Sequence, residues 1–461
     1  MKVSYRKASI AVMLVLGVFV GQGKTFAADW LALQGTEPES NNEQAQIWGF
    51  IQGQYQYDMS YGNSNNLYVP AKLIGPNLTS NSQFNIARAR IGVRGNNFPL
   101  DNKLNYFLLM ELGNNGITAG GKYGKLTDAS VTLNHVPFAK VRIGMFKYPG
   151  SEEGLQSATV AEFINFSAVT NALNLERFPN DDNYAKTFDM RGNREAQQLF
   201  VSANGFEKPV GAFRDVGVQI FNTFKAGDWE LSYATMAGNG NGLNVGDNDG
   251  SLTYYFYGAS EWVFGGKGGR REGLKIYGWH QTGWRNFDTD FSNQVSNAQT
   301  LVGVSSGTTF YTPYSRIRSG GGFSLRWKDL HVSGEYMRGQ GMIFLGAHKE
   351  SFDLNVPGEG SPGDGLLGLA YGWYVDGTWA LFNSGFLIGA RFDTLNRLTG
   401  DQLETSFYNT TLAVQYVLNK KARLAVNYED RRAVSLNSVP ALEDNFSGLR
   451  GRISSQVTVA Y

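Results

Sequence analysis

Residues Gln83–Gly95, QFNIARARIGVRG, constrain the fold more than any other stretch of the chain. Read with a period of two, Ala87, Ala89, Ile91 and Val93 fall on one side and Arg88, Arg90 and Arg94 on the other. A β-strand sends successive side chains to opposite faces, and no helical stripe sorts these residues as cleanly. Three guanidinium groups on one face cannot enter a dry core, because buried unpaired charge is too costly. They need water or an anion, whereas the opposite face is small and apolar and suits lipid. Two settings accommodate such a strand. One is the wall of a transmembrane β-barrel, apolar outside and wet inside; the other is an edge strand of a soluble sheet with a solvated basic face. The rest of the chain has to separate them.

Export is written at the N-terminus. Met1–Lys7 is basic, Ala8–Val20 is an uninterrupted apolar run, and Thr25-Phe26-Ala27 offers small residues at the −3 and −1 positions. That is the order of a secretory signal peptide over 1–27, with cleavage expected after Ala27 or one residue later. The apolar run is shorter than the roughly 20 residues a spanning helix needs, and no other apolar run is longer. A mature chain placed in a membrane must therefore be a barrel. There is no Cys, which excludes disulfides and thiolate metal sites. Without Lys2, Arg6, Lys7 and Lys24 the mature part carries 37 basic against 40 acidic residues, about −3, unlike the basic balance of a nucleic-acid binder.

Period-two segments then recur along the chain. Residues 28–46 read as a polar periplasmic lead-in without a core, and 47–461 as the barrel domain. Strands are expected at Ile47–Asp58, Gln83–Gly95, Lys103–Leu112, Leu126–Asn134, Lys140–Phe146, Phe213–Phe224, Asp228–Ala237 and Leu252–Phe264. Eight more are expected at Gly273–Gly283, Gly320–Lys328, Leu330–Arg338, Leu369–Leu381, Gly385–Leu395, Thr405–Leu418, Ala422–Glu429 and Leu449–Tyr461. In the first of these, Ile47, Ile51, Tyr55 and Tyr57 share the outer face; on the fourth, Thr127, Ala129, Val131 and Leu133 do; on the fifth, Val141, Ile143 and Met145 do. Connections alternate: short at 96–101, 135–139, 225–227, 329 and 419–421, long at 59–82, 148–212, 284–319 and 339–368. Short turns on one side and long loops on the other are the pattern of an outer-membrane barrel, and both ends on one side require an even strand count. The chain closes on Val457, Val459 and Tyr461, which share a face and end on an aromatic residue. The fold class expected is all-β: a transmembrane antiparallel β-barrel of about 16 strands with a long loop folded inward.

Several segments resemble the phosphate-selective porin O and P family. FNIARARIGVRG is similar to that family's paired-arginine second strand, and LTDASVTL followed by VRIGMFKYPGSEEGL to its strand, return strand and following loop. YGWYVDGTWAL, LIGARFDTLN and TTLAVQYVLNKKARLAVNYEDRR resemble its C-terminal strands. The resemblance implies a sixteen-stranded, homotrimeric bacterial outer-membrane channel, narrowed by a long inward loop and lined by basic residues that guide small anions. By motif it points to Arg88, Arg90, Arg94, Arg142, Lys147 and Arg391 as pore-lining, and to Asp128. The strand pattern adds Lys140 on the same inner face, and Glu111 as a lumen acid beside Asp128.

An arginine on a lumen-facing position stays charged and donates in a fixed fork; several along a water path can replace an anion's hydration shell in steps. The alternative is that these arginines pair with Glu111 and Asp128 and brace the wall. Residues 148–212 form the candidate constriction loop, because Phe163, Ile164, Phe166, Leu173 and Leu175 are too apolar for a loop in water and need a surface to pack on. A fold into the lumen supplies one, and so does a trimer contact. Three functions follow: a passive channel for small anions, phosphate or other oxyanions among them; a weakly selective diffusion porin; or a barrel that sheathes a partner protein such as an electron-transfer cytochrome. Partners expected are small anionic solutes and the lipid and lipopolysaccharide of the outer membrane, with no nucleic acid. No enzyme, metal or cofactor is indicated. His135, His280, His331 and His348 are scattered and no HExxH or G-x-S-x-G motif occurs. Asp247-Asn248-Asp249-Gly250 lacks the later glutamate of a calcium loop. Tyr254–Tyr257 and Trp262 read as an interfacial girdle.

Overall fold

The computed structural model describes residues 29–33, 45–60, 82–96, 101–118, 124–175, 211–243, 247, 250–266, 270–285, 314–342, 369–381, 384–397, 399–400, 404–438 and 440–461. The expected leader, His348, Asn248 and Asp249, and residues 61–81, 176–210, 286–313 and 343–368 of the long connections lie outside the described residues.

The chain is a closed antiparallel barrel. Its strands are β1 (Gln46–Asp58), β2 (Ser82–Asn96), β3 (Leu104–Glu111), β4 (Lys125–Val136), β5 (Ala139–Lys147), β6 (Arg214–Ala226), β7 (Trp229–Gly238) and β8 (Thr253–Gly265). They continue as β9 (Glu272–Arg285), β10 (Tyr314–Trp327), β11 (Leu330–Gln340), β12 (Ala370–Ala380), β13 (Phe386–Arg397), β14 (Thr405–Asn419), β15 (Ala422–Ser435) and β16 (Arg452–Ala460). Each strand pairs with the next, and β1 pairs with β16 to close the ring. Four short helices accompany them: α1 (Trp30–Leu33), α2 (Glu152–Leu155), α3 (Ala168–Leu173) and α4 (Pro440–Ser447). No helix among the described residues is long and apolar enough to cross a membrane.

Closure follows from the two-residue repeat. On β14 every second side chain from Tyr408 to Leu418 is exposed, with Leu412 at 55% and Val414 at 48%, while Thr411, Ala413 and Gln415 are buried. The exposed set is the outer wall and is apolar, as hydrocarbon requires; the polar set faces in. Two-residue turns link β4–β5, β6–β7, β10–β11 and β14–β15 on one rim, and Gly227 takes the positive φ that such a turn demands (+66°) without steric cost.

Register departs from strict alternation at several places, and two of these bulges correct the sequence reading. Gln52 pairs with Arg88 but Gly53 pairs with Ile86, so Ala87 is the extra residue. It is buried instead of outward, and the outer face beyond it passes to Ile86 and Phe84. Likewise Leu109 pairs with Asp128 and Met110 with Leu126. Thr127 drops out of the ladder, is fully buried, and donates its hydroxyl to the Leu109 carbonyl at 3.1 Å. A bulge shifts parity by one, which a period-two count cannot foresee. Met145, expected outside, is also buried, one residue past Gly144 with its φ of +125°. Tyr255 and Tyr257 are buried on the inner face, leaving Tyr254, Phe256 and Trp262 as the exposed aromatic positions of β8.

Strand boundaries differ most at β10 and β15. β10 begins at Tyr314, so Tyr314–Ser319 belongs to the wall and not to the preceding loop; β15 runs on to Ser435. The lead-in was expected to have no core, yet Asp29, Leu31 and Ala32 are almost inaccessible. Leu31 and Ala32 join a cluster with Leu155, Phe221, Ala234, Tyr257 and Tyr277, side chains of α2 and of the inner faces of β6–β9.

Candidate functional site

Residues 148–175 connect β5 to α3 and meet inner-face side chains around most of the ring. Near α2, Ser151 donates to Glu335 of β11 (2.9 Å) and Glu152 accepts from Lys275 of β9 at both oxygens (2.8 Å). Burial pushes the Glu152 carboxyl above its usual range, against the pull of the Lys275 ammonium. Further on, the Ala158 carbonyl accepts from Gln52 of β1 (2.9 Å) and Arg423 of β15 (3.2 Å). The Glu162 carbonyl accepts from Gln415 of β14. Asn165 donates to Glu429 (2.8 Å), and its carbonyl accepts from Arg391 of β13 (3.1 Å). Ser167 caps α3 through the Thr170 amide, and Asp393 of β13 accepts the Ala168 amide at 2.7 Å. Val169 and Leu173, both fully buried, pack with Met337, Tyr374 and Leu395. Of the apolar residues that looked misplaced for a loop, Leu173 is thus covered, while Phe163, Ile164, Phe166 and Leu175 line the cavity described next.

Beside this segment an open cavity is lined by Gln52 of β1, Arg88 and Arg90 of β2, Lys147 of β5, Arg214 of β6 and Arg391 of β13, with Phe163 and Phe166 from the segment itself. The charges there are held in two ways. Arg90 pairs with Glu111 (2.7 Å), Arg214 with Asp128 (3.0 Å), and Arg391 with both Glu153 (2.8 Å) and Asp376 (3.0 Å). Arg88 and Lys147 are held by neutral acceptors: Arg88 donates to Gln52 Oε1 (2.8 Å), and Lys147 to the carbonyls of Leu155 (3.2 Å) and Gln156 (2.9 Å). Arg88 also lies over the Phe166 ring at 5.9 Å.

Of the residues expected from sequence to line the pore, Arg88, Arg90, Lys147 and Arg391 share this cavity. Arg94, Lys140 and Arg142 do not line it. Arg94 reaches Gln46 (3.3 Å) and lies over Trp48. Arg142 is buried over the rings of Phe221 (4.4 Å) and Phe146 (5.4 Å) and donates to Thr132 (3.3 Å). Lys140 sits opposite Phe221 at the start of β5. Glu111 and Asp128 are both buried and ion-paired, Asp128 with a residue that sequence reasoning passed over. Arg214 falls on the expected strand Phe213–Phe224, but directly after the aperiodic stretch 148–212 nothing marks which way it faces. His331 was read as one of four scattered histidines, yet its Nδ1 lies 2.6 Å from Glu162 Oε2; a contact between residues so far apart in sequence leaves no local signal.

Residues 72–269 match the family model described as phosphate-selective porin O and P. The match spans β2 to β8 and takes in somewhat under half of the chain. The porin is also similar to two solved structures: the outer membrane channel DcaP of Acinetobacter baumannii, at 10% identity over 90% of this chain and 97% of that one (TM-score 0.51), and the anion-selective porin from Comamonas acidovorans, at 11% identity over 91% and 99% (TM-score 0.50). At these identities the likeness speaks for the barrel fold alone. No curated protein matches the porin in sequence. With a closed barrel, an apolar exterior and a polar interior, the porin is an outer-membrane channel for diffusion of solutes, not an enzyme.

Proposed function

We propose that this porin passes small anions, oxyanions such as phosphate among them, and that residues 148–175 form its constriction. The observation that carries the reading is the pair Arg88 and Lys147. Both open on one cavity, and both are held by neutral oxygens, so neither charge is cancelled by a directly bonded carboxylate among the described residues. A fixed cation in a confined water path raises the local concentration of anions even when the whole chain is slightly acidic. The hydrogen bonds of residues 148–175 to β1, β9, β11 and β13–β15 support its role in narrowing the passage.

A weakly selective diffusion channel is the second reading. It is favoured by the ion pairs Arg90–Glu111, Arg214–Asp128 and Arg391–Asp376, which brace the wall and cancel charge. A sheath for a partner protein is disfavoured, since inner-face side chains are already engaged by residues 29–33 and 148–175. Reversal potentials of the purified porin in planar bilayers under a KCl gradient separate the first two. Chloride-selective sign supports the proposal; zero or cation-selective sign removes it.

A further inference from the structure

Asp29–Leu33 makes the contacts of a bound ligand. Asp29 is 2% exposed, and its Oδ2 accepts from Tyr257 Oη (3.1 Å) on β8 and lies 3.2 Å from Lys275 Nζ on β9. Its Oδ1 and its carbonyl receive the amides of Leu31 and Ala32, both at 3.0 Å, which closes α1. Leu31 and Ala32 are buried against Phe221 and Ala234 of the inner wall and Leu155 of α2. Lys275 holds Glu152 of α2 at the same time as Asp29, so one ammonium ties the N-terminal segment to the segment beside the cavity. A short tail merely passing by would gain too little to offset its ordering entropy; a carboxylate bonded at both oxygens and two covered apolar side chains make a seat.

Two features of the sequence fit that seat. Cleavage after Ala27 would leave Asp29 as the second residue of the mature chain, a free end able to enter the barrel without threading a loop. Residues 34–45 between Leu33 and β1 reach up to ~40 Å when extended. We propose that the inner-wall patch of Tyr257, Lys275, Phe221 and Ala234 is a binding site for the chain's own mature N-terminal segment. Once seated, Asp29–Leu33 fixes α2 through Lys275 and reduces the open cross-section of the channel. This requires only that the barrel conducts; it is independent of the ions it prefers.

The test uses the absence of cysteine in the chain. Leu31→Cys and, as an exposed reference on a short turn, Lys420→Cys are reacted in the folded porin with a bulky maleimide. Seating slows modification at position 31 by about tenfold or more against position 420, as expected for a site reached only by local opening. Asp29→Ala in the Leu31→Cys background removes that protection. Ala32→Cys, a smaller change, takes the place of Leu31→Cys should the latter fail to assemble. Equal rates at the two positions, or protection unchanged by Asp29→Ala, overturn the site. Deleting residues 29–33 raises single-channel conductance by about 1.5-fold, since pore width sets conductance; an unchanged conductance overturns the narrowing role.

Discussion

His331 Nδ1 on β11 lies 2.6 Å from Glu162 Oε2, and both side chains are buried. An ionised carboxylate can only accept, so the imidazole nitrogen donates. Thr378 donates to the same oxygen at 2.9 Å, and Arg326 and Arg270 reach the other at 3.0 and 3.4 Å. Burial opposes ionisation of Glu162, but the His331 hydrogen bond and the positive charges of Arg326 and Arg270 outweigh it and hold the carboxyl well below the usual range. A depressed folded-state pKa gives stability that is present above the unfolded value, about 4.3, and lost as pH falls through the folded one. Single-channel noise should therefore stay low from neutral pH down to about 5 and rise only in stronger acid. Glu162→Gln should be noisy already at neutral pH and respond less to acid, with the anchorage weakened by about 3–5 kcal/mol because Arg326 and Arg270 lose their shared carboxylate.

Arg391 bonds Glu153 and Asp376 at once and covers the Phe163 ring at 4.2 Å. Arg391→Ala would leave two acids beside the cavity without their cation. The expected outcome is a shift of reversal potential toward cations, together with a stability loss of about 3–5 kcal/mol in thermal unfolding. Arg391→Lys should recover only part of both, since an ammonium cannot reproduce the forked contact.

Leu412 stands near the middle of β14 on the outer wall, 55% exposed. Leu412→Arg should cost about 2–4 kcal/mol in a bilayer-referenced folding equilibrium, as for a guanidinium at the hydrocarbon midplane. A change well under 1 kcal/mol would mean that this face meets water.

Gly144 has a φ of +125°, and a β-carbon there would collide with the Ala129 carbonyl on the paired strand. Gly144→Ala should destabilise the barrel by about 1–3 kcal/mol, read as a lower temperature for loss of the heat-modifiable folded form on gels.

The wall was legible because its grammar is local. Alternation along Thr405–Leu418 or Leu104–Glu111 marks strand and facing together, and the alternation of short and long connections marks the even count. Ala87 and Thr127 were misassigned because a bulge changes parity without changing composition. The cavity was half legible: Arg88 and Arg90 announce themselves by spacing on one strand, whereas Arg214, His331 and Glu162 matter through partners 86 to 169 residues away. The seat of Asp29 was invisible for the same reason, since one acid followed by four apolar residues, Asp29–Leu33, is too short to show a period.

The reversal potential of the porin and of its Arg88→Ala/Lys147→Ala variant, measured side by side in planar bilayers under a KCl gradient, bears most directly on the central claim. A chloride-selective sign is expected for the parent and a value near zero or cation-selective for the variant, with barrel stability little changed because both groups bond only neutral oxygens. Equal potentials for the two proteins would contradict it.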